Sequence, residues 1–290
     1  MTANKSIQCG FEIFDNHQRM TPDFDIRKIR PEDFDLVRDL PPDDWNFNYA
    51  DFLKQHFHEQ YFYAVVTYTA TGITGTGNAF FFGKSGWLGN IIVKSEHRKQ
   101  GIGLFITGHM IRHLTTAGCE TVFLLATEKG AGIYQKAGFK SVIKYRYFSS
   151  ESDIPYSLPK EIRRMNHSDL EEILKLDIRV TGENRHFLIS KYCENGWAYA
   201  KDSSISGFYL PDFGRGVVIA SDRKAGIELL KLKHGQKNVR SGVPVENKLA
   251  IKFFEDNKFK ENPSCTRMML GRKIDWTPQN IYSYAHGYCG

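Results

Sequence analysis

NIIVKSEHRKQGIG, Asn90 to Gly103, joins an apolar β-branched run to a short polar link, a cation cluster and two glycines one residue apart. Downstream, Ile102, Phe105, Ile106, His109, Met110, His113 and Leu114 recur at the spacing of one helical face, and Gly118 ends the pattern. The stretch therefore predicts strand, loop, helix. A helix N-terminus exposes unpaired N–H groups and a partial positive charge, so a loop without side chains can wrap a diphosphate closely. The alternative is that Gly101 and Gly103 only turn the chain into the helix. A dinucleotide-binding fingerprint fits worse, because its third glycine and its later acidic residue are missing. A Walker A loop is excluded, since its Gly-Lys-Ser/Thr ending is absent. An anion loop for a diphosphate on some other carrier remains.

Upstream, Ile26 to Ile29 reads as a strand, and Asp33 to Leu40 and Asn48 to Gln60 read as helices. YFYAVVTY, GNAFFFG and WLGNIIV are β-branched and aromatic, separated by TATGITG and GKSG turns, which predicts an antiparallel meander. After the glycine loop come TVFLLA (Thr121 to Ala126) as a strand, a helix through Ala137, and SVIKYRYF as a final strand. The predicted class is α/β: a mixed, mostly antiparallel sheet flanked by helices.

That pattern occurs twice. IRKIRPEDFDLVRDL from Ile26 matches IRRMNHSDLEEILKLD from Ile162, RKQGIG (Arg98 to Gly103) matches RKAGIE (Arg223 to Glu228), and ATEKGAGIYQKAGF (Ala126 to Phe139) aligns without gaps to a stretch ending at Phe259. The Ser/Pro-rich segment SSESDIPYSLP, Ser149 to Pro159, separates the copies, giving domains of 1–152 and 153–290.

Arg98-Lys99-Gln100-Gly101-Ile102-Gly103 after NIIV resembles the acyl-CoA loop of the GNAT N-acetyltransferase superfamily, and Tyr134-Gln135-Lys136-Ala137-Gly138-Phe139 is similar to its Y-x-x-x-G-F segment. The resemblance implies two tandem GNAT-like domains. It also implies that Ile91, Ile92 and Val93, together with Asn90, line the pantetheine of acetyl-CoA. Arg98, Lys99, Gln100, Gly101, Ile102 and Gly103 would hold its pyrophosphate, and Tyr134 would protonate the departing thiolate. On the residues alone, Ile133, Tyr134 and Ala137 could equally pack on the sheet. An unperturbed tyrosine of pKa ~10 suits a thiol of ~8.5 to 9 as a proton donor.

Two departures matter. The strand WLGNIIV lacks the carboxylate that family members often place before the loop, so Glu96, His97, Glu128, Asp43, Asp44, Glu59 or a water relay remain open as the base; Thr127 and Gly130 stand where the family usually has Asn and Ala. In the second copy Glu228 replaces Gly103 and Phe254 replaces Tyr134, whereas Asn247 and Ala250 keep the pattern. A carboxylate repels a diphosphate and phenylalanine has no proton to give, so this copy reads as degenerate, helping to form the acceptor pocket with Arg179, Glu183, Arg185, Tyr209 and Tyr282 as candidates.

The composition agrees. A net charge of +6 is scattered along the 290 residues, which suits a phosphate-bearing small ligand at least as well as nucleic acid and decides nothing alone; no nucleic-acid partner is expected. No apolar run reaches the ~20 residues of a membrane span, and the opening MTANKSIQCG has no leader pattern, so the expected address is the cytoplasm without membrane contact. Five dispersed cysteines, Cys9, Cys119, Cys193, Cys265 and Cys289, give neither disulfide nor metal spacing. His109 and His113 fall in the apolar stripe with no third ligand, so no metal is expected. Phe80-Phe81-Phe82 belongs to a strand rather than a base-stacking surface. The expected function is acetyl transfer from acetyl-CoA to a primary amine by direct attack on the thioester. The alternative is a non-catalytic acyl-CoA sensor or scaffold. The acceptor and the oligomeric state are not readable.

Overall fold

The computed structural model describes residues 23–290 apart from 46, 152, 203 and 236–238. The opening stretch, Cys9, the Asp44 side chain and Ser152 at the sequence division lie outside that description. Two compact units interleave along the chain: the first takes the residues up to 141 with 268–273 and 289, the second 142–267, 274–288 and 290.

The first unit runs β1 (Asp25–Lys28), α1 (Tyr49–His56), β2 (Phe62–Thr69), β3 (Gly72–Phe82), β4 (Ser85–Val93), α2 (Ile102–Thr116), β5 (Thr121–Thr127) and α3 (Ala131–Lys136). Strands β1 to β4 pair antiparallel in sequence order, and β5 joins β4 in parallel. The meander is as expected. Asp33 to Leu40 is not one helix: a 3-10 turn over Pro31–Asp33 leads into irregular turns that still bury Phe34 and Val37. Pro31 starts this segment and Pro41-Pro42 ends it. Asn48 caps α1, its side chain accepting from the Asp51 amide at 3.1 Å.

The apolar stripe of α2, Ile102, Ile106, Met110 and Leu114, packs with Leu88, Val122, Leu124 and Ala126 in one core. Burial of each large side chain contributes about 1.5–3 kcal/mol. Two glycines allow the close approach: a Cβ on Gly77 would stand 2.7 Å from Ile106, and one on Gly86 2.8 Å from Leu114. Met268 and Leu270 complete this core, and Arg272 ties their segment down by donating its amide to the Glu120 carbonyl at 3.0 Å.

The second unit contains most of β6 (Lys140–Ser149), then β7 (Ile162–Arg164), α4 (Leu170–Thr181), α5 (His186–Tyr192), β8 (Trp197–Lys201), β9 (Ser204–Leu210), β10 (Val217–Ala220), α6 (Arg223–His234), β11 (Arg240–Pro244), α7 (Lys248–Asp256), most of β12 (Lys260–Gly271), and β13 (Ile281–Ser283). Strands β7, β8, β9, β10 and β13 form an antiparallel sheet in that order, and β11 pairs antiparallel with β6. The repeat extends to side chains. Arg27 grips Asp33 with bonds of 2.6 and 2.8 Å, and Arg163 grips Asp169 with the same two lengths. Gly138 and its counterpart Lys258 both hold left-handed backbone, at φ 88° and 57°.

No helix among the described residues is long and apolar enough to cross a membrane. Tyr63 accounts for the two histidines of α2, its hydroxyl bonding His109 Nε2 at 3.1 Å and its ring stacking on His113 at 3.6 Å.

Candidate active site

The geometry of the site begins with a β-bulge. Thr76 pairs with Ile92 and Asn78 with Gly89, so Gly77 alone faces both Asn90 and Ile91, and Asn90 takes a left-handed φ of 48°. A bulge bends its strand. Correspondingly, β4 and β5 are in register only from Ser85 to Trp87 against Thr121 to Phe123. Beyond Trp87 the β5-facing edge of β4 has no ladder partner among the described residues, which leaves backbone N–H and C=O groups for an extended ligand. Ile91 and Val93 turn their side chains into the core under α2, so this edge offers backbone rather than bulk.

The glycine loop follows. Arg98 folds back to donate its Nε to the Val93 carbonyl at 3.1 Å, and Lys99 and Gly101 adopt left-handed backbone at φ 65° and 84°. Phe105 makes the first helical bond, to the Gly101 carbonyl at 3.0 Å. The amides of Lys99, Gln100, Gly101, Ile102, Gly103 and Leu104 have no acceptor among the described residues, and Gly101 supplies no side-chain cap. Consecutive open amides at a helix start, flanked by Arg98 and Lys99, are an arrangement that can receive an anion. At Gly103 the strand, the loop and the next helix converge: a Cβ there would lie 3.8 Å from both Val93 Cγ2 and Ile133 Cδ1.

Helix α3 brings Tyr134 to the same region. Its ring meets Phe139 edge-on at 6.1 Å and packs on the core, while its hydroxyl has no hydrogen-bond partner among the described residues. Desolvation pushes its pKa up to about 12. The ring therefore packs as the residues alone allow, and the hydroxyl is left without a protein partner among the described residues. Thr127 starts this turn by receiving the Gly130 amide at its carbonyl, 3.0 Å, and at its hydroxyl, 3.3 Å.

No carboxylate lies on β3, β4 or β5. Of the acidic candidates, Glu96 is exposed, and its own backbone amide and the Ser95 hydroxyl hold its pKa below the usual carboxylate range, which makes it a poor base. Asp43 and Glu128 are also exposed; His97 and Glu59 are half-buried. Sequence reasoning passed over what does sit at the bulge: Asn90 Nδ2 donates to Asn78 Oδ1 at 2.8 Å, and the Tyr49 hydroxyl reaches the same oxygen at 3.5 Å. The available signal was a lone asparagine in the aromatic strand GNAFFF.

The second unit closes each of these features. Arg223 to Gly226, counterpart of the open loop, is helical in α6, and the Asp222 carboxylate caps it. Glu228 pairs with Lys231 at 2.8 Å. Strand β13 lies along β10, Ile281 opposite Ile219, and is held from the other side by Asn247 Nδ2 on the Ile281 carbonyl and by the Tyr284 amide on the Gly242 carbonyl, each 3.0 Å. The edge that is open on β4 is thus occupied on β10. Buried Lys233 fastens β13, donating to Ser283 Oγ at 2.7 Å and to the carbonyls of Arg215 and Gly216 at 2.7 and 2.6 Å. Phe254 is fully buried and stacks on Phe148 at 4.7 Å. The cleft candidates in this half are otherwise engaged: Glu183 with Arg267 and Arg185 with Asp177 are buried pairs, Tyr209 and Tyr282 belong to the core, and Arg179 is exposed on α4.

Comparison with known proteins gives the following. The sequence model of the "Acetyltransferase (GNAT) family" matches residues 25–139, and that of an "Acetyltransferase (GNAT) domain" matches residues 173–283. The uncharacterized N-acetyltransferase YitH of Bacillus subtilis is 28% identical over 182 residues, 58% of this chain and 64% of that relative, so the match spans less than two thirds of its length. A candidate acetyltransferase from Pyrococcus horikoshii superposes with a TM-score of 0.80 at 19% identity, over 93% of this chain and 97% of that one. A GCN5-related N-acetyltransferase from Sphaerobacter thermophilus superposes with a TM-score of 0.63 at 15% identity, over 89% and 99%. These two likenesses concern the fold.

Proposed function

Because the chain belongs to the GNAT acetyltransferase family, with two such domains in tandem, we propose that it transfers the acetyl group of acetyl-CoA to a primary amine, and that the first half does so. The observation that carries this reading is the convergence at Gly103 of an open helix start, an unpaired strand edge and the helix bearing Tyr134.

The residues fit acetyl-CoA, which supplies the acyl group and a thiolate leaving group. The amides of Lys99 to Leu104 and the Arg98 and Lys99 cations hold the diphosphate, and the backbone of Ile91, Ile92 and Val93 takes the amides of the pantetheine arm. Tyr134 presents its phenol to the sulfur. At a pKa of about 12 it keeps its proton at any working pH, but transfer to a thiolate of ordinary basicity, ~8.5, is uphill. The pKa match drawn from an unperturbed tyrosine is therefore corrected. Tyr134 donates efficiently only because the sulfur, in the same apolar surroundings, becomes a stronger base as the C–S bond breaks. With no carboxylate on the strands, the amine loses its proton to water.

Titration calorimetry with acetyl-CoA and thiol release over an amine panel test the reading. Absence of binding at micromolar protein removes it. The neutral, carboxylate-free face around Asn78 favours one second reading, a non-catalytic acyl-CoA sensor, for which binding would persist without thiol release from any amine.

A further inference from the structure

Asn78 stands fully buried on β3 beside the bulge. Its Oδ1 is taken by two donors, Asn90 Nδ2 at 2.8 Å and the Tyr49 hydroxyl at 3.5 Å. Thr76 Oγ1 lies 3.3 Å from the Tyr49 hydroxyl, whose single proton it competes for with Asn78 Oδ1, because Thr76's own proton goes to the Val65 carbonyl at 2.9 Å. Two donors on one oxygen set the direction of the carboxamide. Its Nδ2 is buried and has no hydrogen-bond partner among the described residues. An amide N–H left unpaired in the interior is costly, and native structures rarely keep such a group unless something completes it. Asn78 faces Gly89 across the ladder, and Gly89 presents no side chain. Gly89 lies two residues past Trp87, where the register of β4 with β5 ends, so Asn78 is paired with the stretch of β4 whose other edge has no ladder partner among the described residues.

We propose that Asn78 Nδ2 is a side-chain donor to the thioester carbonyl oxygen as the amine adds, with Asn90 and Tyr49 as positioning residues that hold Oδ1 and so aim Nδ2. The inference rests on the acyl-transfer reading above. In the step, the amine lone pair forms a C–N bond to the carbonyl carbon and the C=O π pair moves onto oxygen, where Asn78 donates. Re-formation of the C=O breaks the C–S bond, and the sulfur leaves with the bonding pair. The sulfur takes a proton from Tyr134, and the proton shed by the amine restores Tyr134 through water. Burial raises the pKa of Tyr49, so it remains a neutral donor to Oδ1 throughout.

The test uses the full chain, acetyl-CoA labelled with carbon-13 at the carbonyl, and isotope-edited infrared spectroscopy beside calorimetry. Asn78→Asp keeps the oxygen that Asn90 and Tyr49 grip and nearly the same volume, but has no N–H to give; Asn78→Ala removes the whole group. The expected result is a carbonyl band moved to lower frequency in the bound wild type, a smaller displacement in either folded variant, acetyl-CoA affinity within ~3-fold of wild type, and turnover lower by ~10²–10³ with any accepted amine. If the aspartate variant binds and shows the wild-type band, the role of Asn78 is overturned while acyl transfer stands. If the wild type does not bind acetyl-CoA, both are overturned.

Discussion

The Asp222 carboxylate accepts the Ala225 amide at 2.9 Å, so the second helix start already holds an anion of its own where the first leaves its amides open. β13 also fills the edge of β10, whereas among the described residues the first unit's helix-start amides and the β4 edge beyond Trp87 have no protein partner. The expected calorimetric stoichiometry is therefore one acetyl-CoA per chain. Gly103→Glu, which copies Glu228, should abolish it, because a carboxylate among those amides repels the diphosphate by several kcal/mol at partly desolvated distances. A stoichiometry of two, or residual binding in the variant, contradicts this.

The two loop glycines should differ. Gly101 has φ 84°, whereas Gly103 has room for a Cβ, with no atom nearer than 3.8 Å. Gly101→Ala should lose about 1 kcal/mol of stability and weaken acetyl-CoA binding through loop distortion. Gly103→Ala should leave the melting temperature nearly unchanged. Equal effects in thermal melts would show that the left-handed turn is not what Gly101 provides.

Tyr134→Phe should preserve acetyl-CoA affinity and lower kcat by ~10²-fold or more. The pH profile follows from the raised pKa of about 12: the phenol stays protonated, so kcat should show no alkaline fall from this group below pH ~11, and activity should climb as the amine deprotonates. An alkaline limb near pH 10 that disappears in the phenylalanine variant would contradict that environment.

The fold was legible because it is written in periodicity: the apolar stripe of α2, the turn-separated strands of the meander, and motifs that recur in order in both halves. The turn from β4 into α2 was legible for the same reason, since glycines at fixed spacing leave a local signature. Two features were not. Interleaving of the units, in which residues 268–273 return to the first, depends on long-range contacts that no local pattern encodes. Asn78 becomes notable only when the bulge sets Asn90 and Tyr49 against it, and those residues are remote in sequence.

The duplicated Arg–Asp clasp should govern acid stability. Burial alone would raise the pKa of Asp33, but the bonds from Arg27 and the Arg30 amide outweigh it; for Asp169 the Arg163 bonds dominate, and both carboxylates end below the usual range. A depressed carboxylate stabilises the fold above its unfolded pKa of ~3.9 and loses that contribution as pH falls through the lower folded value. Chemical denaturation at pH 7 should show a loss of about 1–2 kcal/mol for Asp33→Asn. Asp169→Asn should lose less, because Arg163 is 42% exposed against 28% for Arg27. Both deficits should shrink below pH ~4, where the wild type protonates too; deficits independent of pH would dissociate the clasp from the charge.

Restoring the missing phenol to the second half should not restore chemistry. Phe254 is fully buried among Phe148, His234 and Phe259, with ring centroids at 4.7, 5.3 and 5.0 Å, so a hydroxyl added there meets carbon and a histidine whose Nε2 is taken by Ser241. Phe254→Tyr should cost about 1–3 kcal/mol from the unpaired hydroxyl and add no second acetyl-CoA site, because β13 and Asp222 still occupy the strand edge and the helix start. Denaturant titration and calorimetric stoichiometry read these effects separately. A variant that binds two equivalents would mean that β13 yields its place and that Phe254, rather than the occupied edge, is what silences the second unit.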